Sequence, residues 1–206
     1  MKPISIPIPM PSYGYLLDMY REYANPKDKI ARECEKGRLV RLKRGLYVTR
    51  EALDKGFPPG LIGNCLYGPS YISFAYALQL YSIIPELAPH PTSATFAKRR
   101  QKRFDTPLGS FFYRDVAQAA YSEDVIYLSS GPWRFLAATA EKALCDELSI
   151  NSEVRSKKSL EILLFENLRI DTTEFERLDL KRLASLAPLY RSGTLDVFLR
   201  YIEGSR

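Results

Sequence analysis

Residues Asn25 to Val48, NPKDKIARECEKGRLVRLKRGLYV, restrict what this chain can fold into more than any other stretch. Asn25 is a favoured helix N-cap, and Pro26 suits the first helical position because the N–H it lacks would be unpaired there anyway. Asp28 falls in the first turn, where a carboxylate meets the positive end of the helix dipole. Gly37 can take the left-handed conformation that stops a helix. Between these signals Ile30, Ala31 and Cys34 share one face. Lys29, Arg32 and Lys36 recur on the opposite one, with Lys27 near its start. From Arg38 to Arg44 apolar and basic residues alternate, Gly45 permits a turn, and Leu46-Tyr47-Val48 returns as a second strand. A period of two predicts Arg41 and Lys43 on one face of the hairpin, and Val40 and Leu42 on the other.

A capped helix, a glycine stop and a basic hairpin are the parts of a winged helix-turn-helix, which holds cations against a DNA backbone. The expected DNA contacts are Lys27, Lys29, Arg32 and Lys36 on the helix, and Arg38, Arg41, Lys43 and Arg44 on the hairpin. Within that set Arg41, Lys43 and Arg44 are expected on phosphates, and Lys29 and Arg32 near base edges. The opposite-charge pairs Asp28–Arg32 and Lys29–Glu33, spaced i,i+4, are also what an ordinary solvated helix carries. Glu33 and Glu35 predict moderate rather than tight binding.

The charge distribution agrees with this reading. Residues 1–56 hold 12 Lys/Arg against 7 Asp/Glu, whereas residues 57–206 hold 18 against 17. Most of the net charge of +6 therefore sits on the small N-terminal unit, as expected where a polyanion is met. An apolar fraction of 46% and a charged fraction of 26% suit a globular chain of one or two domains. Cys34, Cys65 and Cys145 are odd in number, widely spaced and without ligand spacing. They are expected to be reduced thiols in a cytoplasmic protein, with no metal and no disulfide framework. No apolar run approaches the roughly 18–20 residues needed to span a bilayer. Pro3, Pro7, Pro9 and Pro11 interrupt any signal-peptide core.

The expected fold class is α+β: a small N-terminal winged helix-turn-helix followed by a larger mixed domain with a short-stranded antiparallel sheet and C-terminal helices. Residues 1–11 are expected to be an extended proline-rich arm lying along the protein body, the alternatives being a swap onto a partner subunit or a reach toward DNA. Residues 12–49 form the winged helix, 50–60 a linker with one helical turn at its start, and 61–206 the larger domain. The apolar patterns predict helices over Ser12–Tyr23 and Leu61–Tyr67. Ser70 is expected to cap a further helix carrying Tyr71, Phe74, Ala75 and Leu78. Strands are expected over Thr92–Phe96, Phe111–Val116, Asp124–Leu128 and Phe135–Ala138, with turns at Pro107-Leu108-Gly109 and Gly131-Pro132. Thr139–Ser149 and most of 157–202 are expected to be helical.

Catalytic signals are sparse. His90, between Pro89 and Pro91, reads as an exposed loop histidine. There is neither a phosphate-binding P-loop nor a nucleophile elbow. Glu141-Lys142 and Asp146-Glu147 fall on a helix and read as structural or solvated charges. Asp179-Leu180-Lys181 mimics the end of a nuclease signature but lies in a helical stretch rather than on a strand. The expectation is no enzymatic activity and no cofactor. The remaining charged feature is Lys98, Arg99, Arg100, Lys102 and Arg103, five cations in six residues, flanked by the anchoring rings of Phe96 and Phe104. It reads equally as a second nucleic-acid contact, a dock for an acidic protein, or a solvated loop.

Four segments in order carry a resemblance: the hairpin KGRLVRLKRGLYV, the run GPSYISFAYAL with the following IIPE, the segment RFDTPLGSFFYRDV, and the helix ATAEKALCDEL. Over about residues 12–150 the chain resembles the AbiEi-type antitoxin family of bacterial abortive-infection, type IV toxin–antitoxin systems, which serve in phage defence. The resemblance implies a transcriptional regulator that binds inverted repeats of double-stranded DNA in its own promoter; the sequence leaves its oligomeric state open, a monomer binding cooperatively being one option. It also implies a larger domain that counteracts a nucleotidyltransferase-like toxin without requiring a stable complex, and no membrane partner. One departure stands out. A winged helix ordinarily has three helices before its wing, whereas here only Ser12–Tyr23 and Pro26–Lys36 precede it, so the unit is either minimal or completed by a helix from Thr49–Tyr67. Three rival readings are a stand-alone regulator without a toxin, a protein-docking module with a vestigial winged helix, and a nuclease using Asp179.

Overall fold

A computed structural model describes residues 6–85 and 87–204. Pro3 and Ile4 of the arm, and Glu86 of the IIPE segment, lie outside the described residues. The chain begins with α1 (Tyr13–Met19), capped by Ser12, whose Oγ accepts the Tyr15 N–H at 3.1 Å. This helix ends short of the expected Tyr23. In α2 (Pro26–Glu35) the Asn25 side chain accepts the Asp28 N–H at 3.3 Å and donates to the Asp28 carboxylate at 2.8 Å. Gly37, at φ +67°, stops α2 in the left-handed region, and Gly45, at φ +84°, turns the hairpin between β1 (Leu39–Lys43) and β2 (Leu46–Thr49). Residues 9–12 run beside β2, with the Tyr47 and Thr49 N–H groups donating to the Pro11 and Pro9 carbonyls at 3.1 and 2.9 Å. Proline cannot donate to a ladder but can accept, so this segment pairs through its carbonyls.

The two faces of the hairpin bury different partners. Leu39 and Tyr47 close a small core with Leu16, Tyr20 and Ile30 of the helical side. Leu42 and Val48 face the other way, into a core shared with Ala52, Phe57, Ile62, Leu66, Phe111 and Tyr113. The stretch 50–60, expected as a linker, therefore belongs to packed structure. It carries α3 (Arg50–Asp54), buries Phe57 and Pro58, and leads into α4 (Pro59–Leu66). The boundary between the expected winged helix and the larger domain runs through this shared core.

The large sheet comprises β3 (Tyr71–Ile72), β4 (Thr92–Thr95), β5 (Lys102–Thr106), β6 (Gly109–Asp115), β7 (Val125–Ser130) and β8 (Trp133–Ala138), in the order β5-β6-β4-β3-β8-β7. It is mixed rather than antiparallel: β4 pairs parallel with β6, and β3 parallel with β8. The reason is topological. Each hairpin, β5–β6 and β7–β8, enters the sheet through its second strand, and that strand runs the same way as the neighbour it meets. Tyr71-Ile72 is a central strand, so the helix expected from Ser70 starts later, as α5 (Phe74–Leu80) with Ser73 at its N-cap position.

Helix α4 covers one face of this sheet. The Tyr113 hydroxyl donates to the Gly63 carbonyl at 2.7 Å, and the Asn64 amide satisfies both main-chain groups of Leu136, at 3.2 and 2.7 Å. A Cβ at Gly60 would stand 2.5 Å from the Phe135 ring, so the approach of helix to sheet requires glycine there. The opposite face is covered by α5 and α7 (Ala140–Ser149). Beyond them lie α8 (Lys157–Glu161), a π-helical turn at Ile162–Asn167, α9 (Thr172–Glu176), α10 (Leu180–Leu186), a 3₁₀ turn at Ala187–Tyr190, and α11 (Gly193–Glu203). A short α6 (Gln118–Tyr121) links β6 to β7. Leu144, Cys145, Leu148, Leu164, Leu183 and Phe198 are fully buried in the main core.

That core contains an ion pair. Lys142 and Asp146 are both 0% exposed, and Nζ reaches Oδ1 at 2.6 Å. Tyr190 also donates to Oδ1 at 2.6 Å, while Ser73 and Tyr71 donate to Oδ2 at 2.6 and 3.0 Å. The carboxylate thus accepts from four side chains, the satisfaction a buried ion needs to be tolerated. Burial and this carboxylate together push the Tyr71 and Tyr190 phenols far above their usual range, so they remain donors.

Candidate nucleic-acid interface

The expected DNA-contacting cations divide into two groups. Lys29, Arg38 and Lys43 are engaged within the protein. Glu33, only 5% exposed, accepts Lys29 Nζ at 2.7 Å and Arg38 Nη2 at 2.6 Å, with Arg38 Nε closing a two-pronged contact. The Arg38 hydrogen bonds are the main cause that holds the Glu33 carboxyl down at about 2; burial opposes them and Lys29 assists. Lys29 also lies over the rings of Tyr20 and Tyr23, at 5.6 and 5.0 Å. Glu33, expected to weaken DNA binding, instead clamps the end of α2 to the start of the hairpin. Arg38 keeps part of its guanidinium exposed, but its geometry is fixed by that carboxylate.

Lys43 departs from the expected pattern for a definite reason. The ladder pairs Arg41 with Tyr47 but Lys43 with Leu46, so the register shifts between them. This irregularity ends the alternation that would put Arg41 and Lys43 on one face. Arg41 stays exposed on the α2 side, where its charge acts on Cys34 and Tyr47. Lys43 turns the other way, donates to the Leu66 carbonyl, and lies 5.6 Å from the Phe104 ring centre.

Five expected contacts remain exposed: Lys27, Arg32 and Lys36 on α2, Arg41 on β1 and Arg44 at the hairpin turn. Among the described residues none of their side chains makes a hydrogen bond or ion pair. The expected Asp28–Arg32 pair is not formed, because the Asp28 carboxylate is taken by Asn25. Glu35 is exposed on the same helix. Arg50, which the sequence reading passed over, is exposed beside the hairpin, its Nε donating to the Gly37 carbonyl at 3.3 Å.

The second basic segment also separates. Lys98 donates to the Gly68 carbonyl at 3.3 Å and lies over the Tyr67 ring. Lys102 lies over Phe104, the ring that Lys43 covers, and Arg103 pairs with Asp105 at 2.7 Å while stacking over Phe112. Lys102 and Arg103 belong to β5 rather than to a loop. Arg99 and Arg100 are exposed, and among the described residues neither guanidinium is bonded. Phe96 packs against Tyr121, and Phe104 against Tyr67 and Tyr113, which anchors both ends of the segment.

His90 is exposed in a loop beside Phe112. Asp179 is the N-cap of α10, its carboxylate accepting the Lys181 and Arg182 N–H groups at 2.9 and 3.1 Å. No cluster of three or more His, Cys, Asp or Glu side chains that could hold a metal occurs among the described residues. Cys34, Cys65 and Cys145 are unbridged; Cys145 is buried, whereas Cys65 is exposed. No helix among the described residues is long and apolar enough to cross a membrane. Comparison with protein-family models and with curated proteins finds no match for this chain.

Proposed function

We propose that the helix–hairpin unit is a winged helix that binds double-stranded DNA, and that the chain is a cytoplasmic, non-enzymatic autorepressor of the AbiEi antitoxin type. The observation that carries the DNA-binding part is the division of cations. Lys29, Arg38 and Lys43 shape the unit, while Lys27, Arg32, Lys36, Arg41 and Arg44 stand exposed without a carboxylate to neutralise them. Unpaired guanidinium and ammonium groups on a pre-shaped helix and hairpin suit a polyphosphate backbone. Arg41 and Arg44 take phosphates, and Arg32 takes a base edge. The unit is completed by α3 and α4, which follow the hairpin rather than precede it. The resemblance of residues 12–150 to the antitoxin family supports the rest of the reading: inverted repeats in its own promoter as the operator, and a nucleotidyltransferase-like toxin countered by the larger domain.

The test is a fluorescence-anisotropy salt titration with the DNA upstream of the gene and a shuffled duplex of equal length. With Lys27, Lys36, Arg41 and Arg44 neutralising four phosphates, the log–log salt slope is expected to be about −3.6. Preference for the upstream DNA with that slope supports the repressor reading. Equal, weak binding to both duplexes would count against it. Co-expression with the neighbouring gene product tests the antitoxin part, since failure to restore growth would remove it.

A further inference from the structure

Outside the helix–hairpin unit lies a cavity of about 390 Å³ lined by Arg99, Arg100, Gln101, Arg114, Asp115 and Ile150. It opens at the carboxyl ends of β4 and β6, the parallel neighbours whose last paired residues are Thr95 and Asp115. In sheets with parallel strands, ligands seat outside those carboxyl ends. The Asp115 carboxylate does not face the arginines as a free anion. It accepts the Thr95 hydroxyl at 2.6 Å through Oδ1 and the Arg99 N–H at 2.6 Å through Oδ2. These bonds hold the loop after β4 in a turn where Ala97 and Arg99 both take left-handed φ, at +55° and +57°. Side chains with a Cβ pay conformational energy for that turn, which presents Arg99 and Arg100 at the cavity.

Arg114 completes the set from β6. It is half-buried, and among the described residues its guanidinium forms no hydrogen bond or ion pair. The carboxylate it influences is Glu147 on α7, whose Oε2 accepts the Ala75 N–H at 3.0 Å and whose pKa burial pushes up. Three arginines and one aspartate line the cavity, an excess of two positive charges among its lining side chains. Guanidinium groups are planar forks suited to two-pronged contact with phosphoryl oxygens. The other cations of the same run, Lys98, Lys102 and Arg103, are drawn onto a carbonyl, an aspartate or aromatic rings. The run is therefore no uniform comb for a duplex; two of its members line, with Arg114, an open depression of small-molecule size.

We propose that this cavity binds a small phosphoryl polyanion of the pyrophosphate class, free or as the polyphosphate of a nucleotide. The site is separate from the proposed DNA contacts and does not rest on them. The experiment is isothermal titration of the full chain with pyrophosphate, ADP and ATP, against sulfate at matched ionic strength, for the parent, Arg114→Gln and the exposed double variant Arg99→Gln/Arg100→Gln. The parent is expected to bind pyrophosphate below about 1 mM, and each variant about tenfold more weakly. The double variant decides the matter if Arg114→Gln does not fold. ATP binding tighter than pyrophosphate assigns a nucleotide; equal affinity assigns the polyphosphate alone. Sulfate binding as well as pyrophosphate, no saturation by about 10 mM, or variants that bind normally would each overturn the proposal. So would variants that lose only DNA affinity, which would make these arginines backbone contacts.

Discussion

The ammonium group of Lys43 donates to the main-chain carbonyl of Leu66, the last residue of α4. It thereby ties the hairpin to the carboxyl end of a helix, the end whose partial charge attracts a cation. A residue that reads as a phosphate contact is thus a strut. Replacing Lys43 with Met is expected to cost about 1–2 kcal/mol of stability and to leave the salt slope of DNA binding unchanged. By contrast, Arg41→Gln or Arg44→Gln should leave the melting temperature in place and flatten the slope by about 0.9 each. Chemical denaturation and salt titrations of the three variants separate strut from contact; a flattened slope for the Lys43 variant would refute its assignment.

Glu33 sets a pH dependence. Its carboxyl lies at about 2 in the folded state against an ordinary 4.5. A depressed pKa contributes stability above about pH 4.5, and that contribution disappears as pH falls through the folded value near 2. Glu33→Gln is expected to lose about 2 kcal/mol at neutral pH, with the difference from the parent shrinking from about pH 4.5 down to 2. Because the substitution releases Lys29 and Arg38, the DNA salt slope should steepen by about 1 to 2. Melting curves across that range, with a salt titration at neutral pH, check both halves.

Gly60 and Gly63 lie on the same helix but tolerate a methyl group differently. At Gly60 the added carbon meets the buried Phe135 ring at 2.5 Å, whereas at Gly63 it meets Ile72 Cδ1 at 3.2 Å and Ser93 Oγ at 3.3 Å. Gly60→Ala is expected to lose about 1–3 kcal/mol through displaced packing. Gly63→Ala should be close to neutral, because the helix-propensity gain of about 1 kcal/mol offsets a smaller clash. Equal losses would mean that α4 adjusts freely over the sheet.

The Lys142–Asp146 pair predicts strong non-additivity. Lys142→Met leaves a buried carboxylate without its cation and is expected to cost about 3–5 kcal/mol. Asp146→Leu strands the ammonium at a similar cost. The double variant should lose clearly less than the two singles together, since no charge remains buried. A thermodynamic cycle from urea denaturation measures the coupling, and additive losses would contradict it.

The parts of the fold legible in the chain are those fixed by neighbours in sequence. Asn25, Pro26 and Gly37 bound α2 because caps act within a few residues, and Pro107-Leu108-Gly109 and Gly131-Pro132 mark the two large hairpins. What escaped reading depends on distant partners. Tyr71-Ile72 is a strand only because β4 and β8 flank it. Lys142 and Asp146, spaced i,i+4, look like a surface pair until Tyr71, Ser73 and Tyr190 arrive from elsewhere in the chain. In the basic helix–hairpin segment, residue types marked the cations but not the sorting among them. A register shift redirected Lys43, and the burial of Glu33 drew in Lys29 and Arg38.

The apolar cluster that joins Leu42 and Val48 to Phe111 and Tyr113 bears on how such a chain can diversify. A helix–hairpin unit that shares its hydrophobic backing with the domain beneath it is no interchangeable cassette. Grafting a different unit would open that cluster unless the newcomer brought side chains of matching shape, and cutting the chain at residue 57 would remove Leu42, Val48 and Ala52 from it. If the unit reads DNA as proposed, operator choice is free to drift at Arg32, Arg41 and Arg44, on the outer surface. The inward residues of the same hairpin must change in step with the sheet.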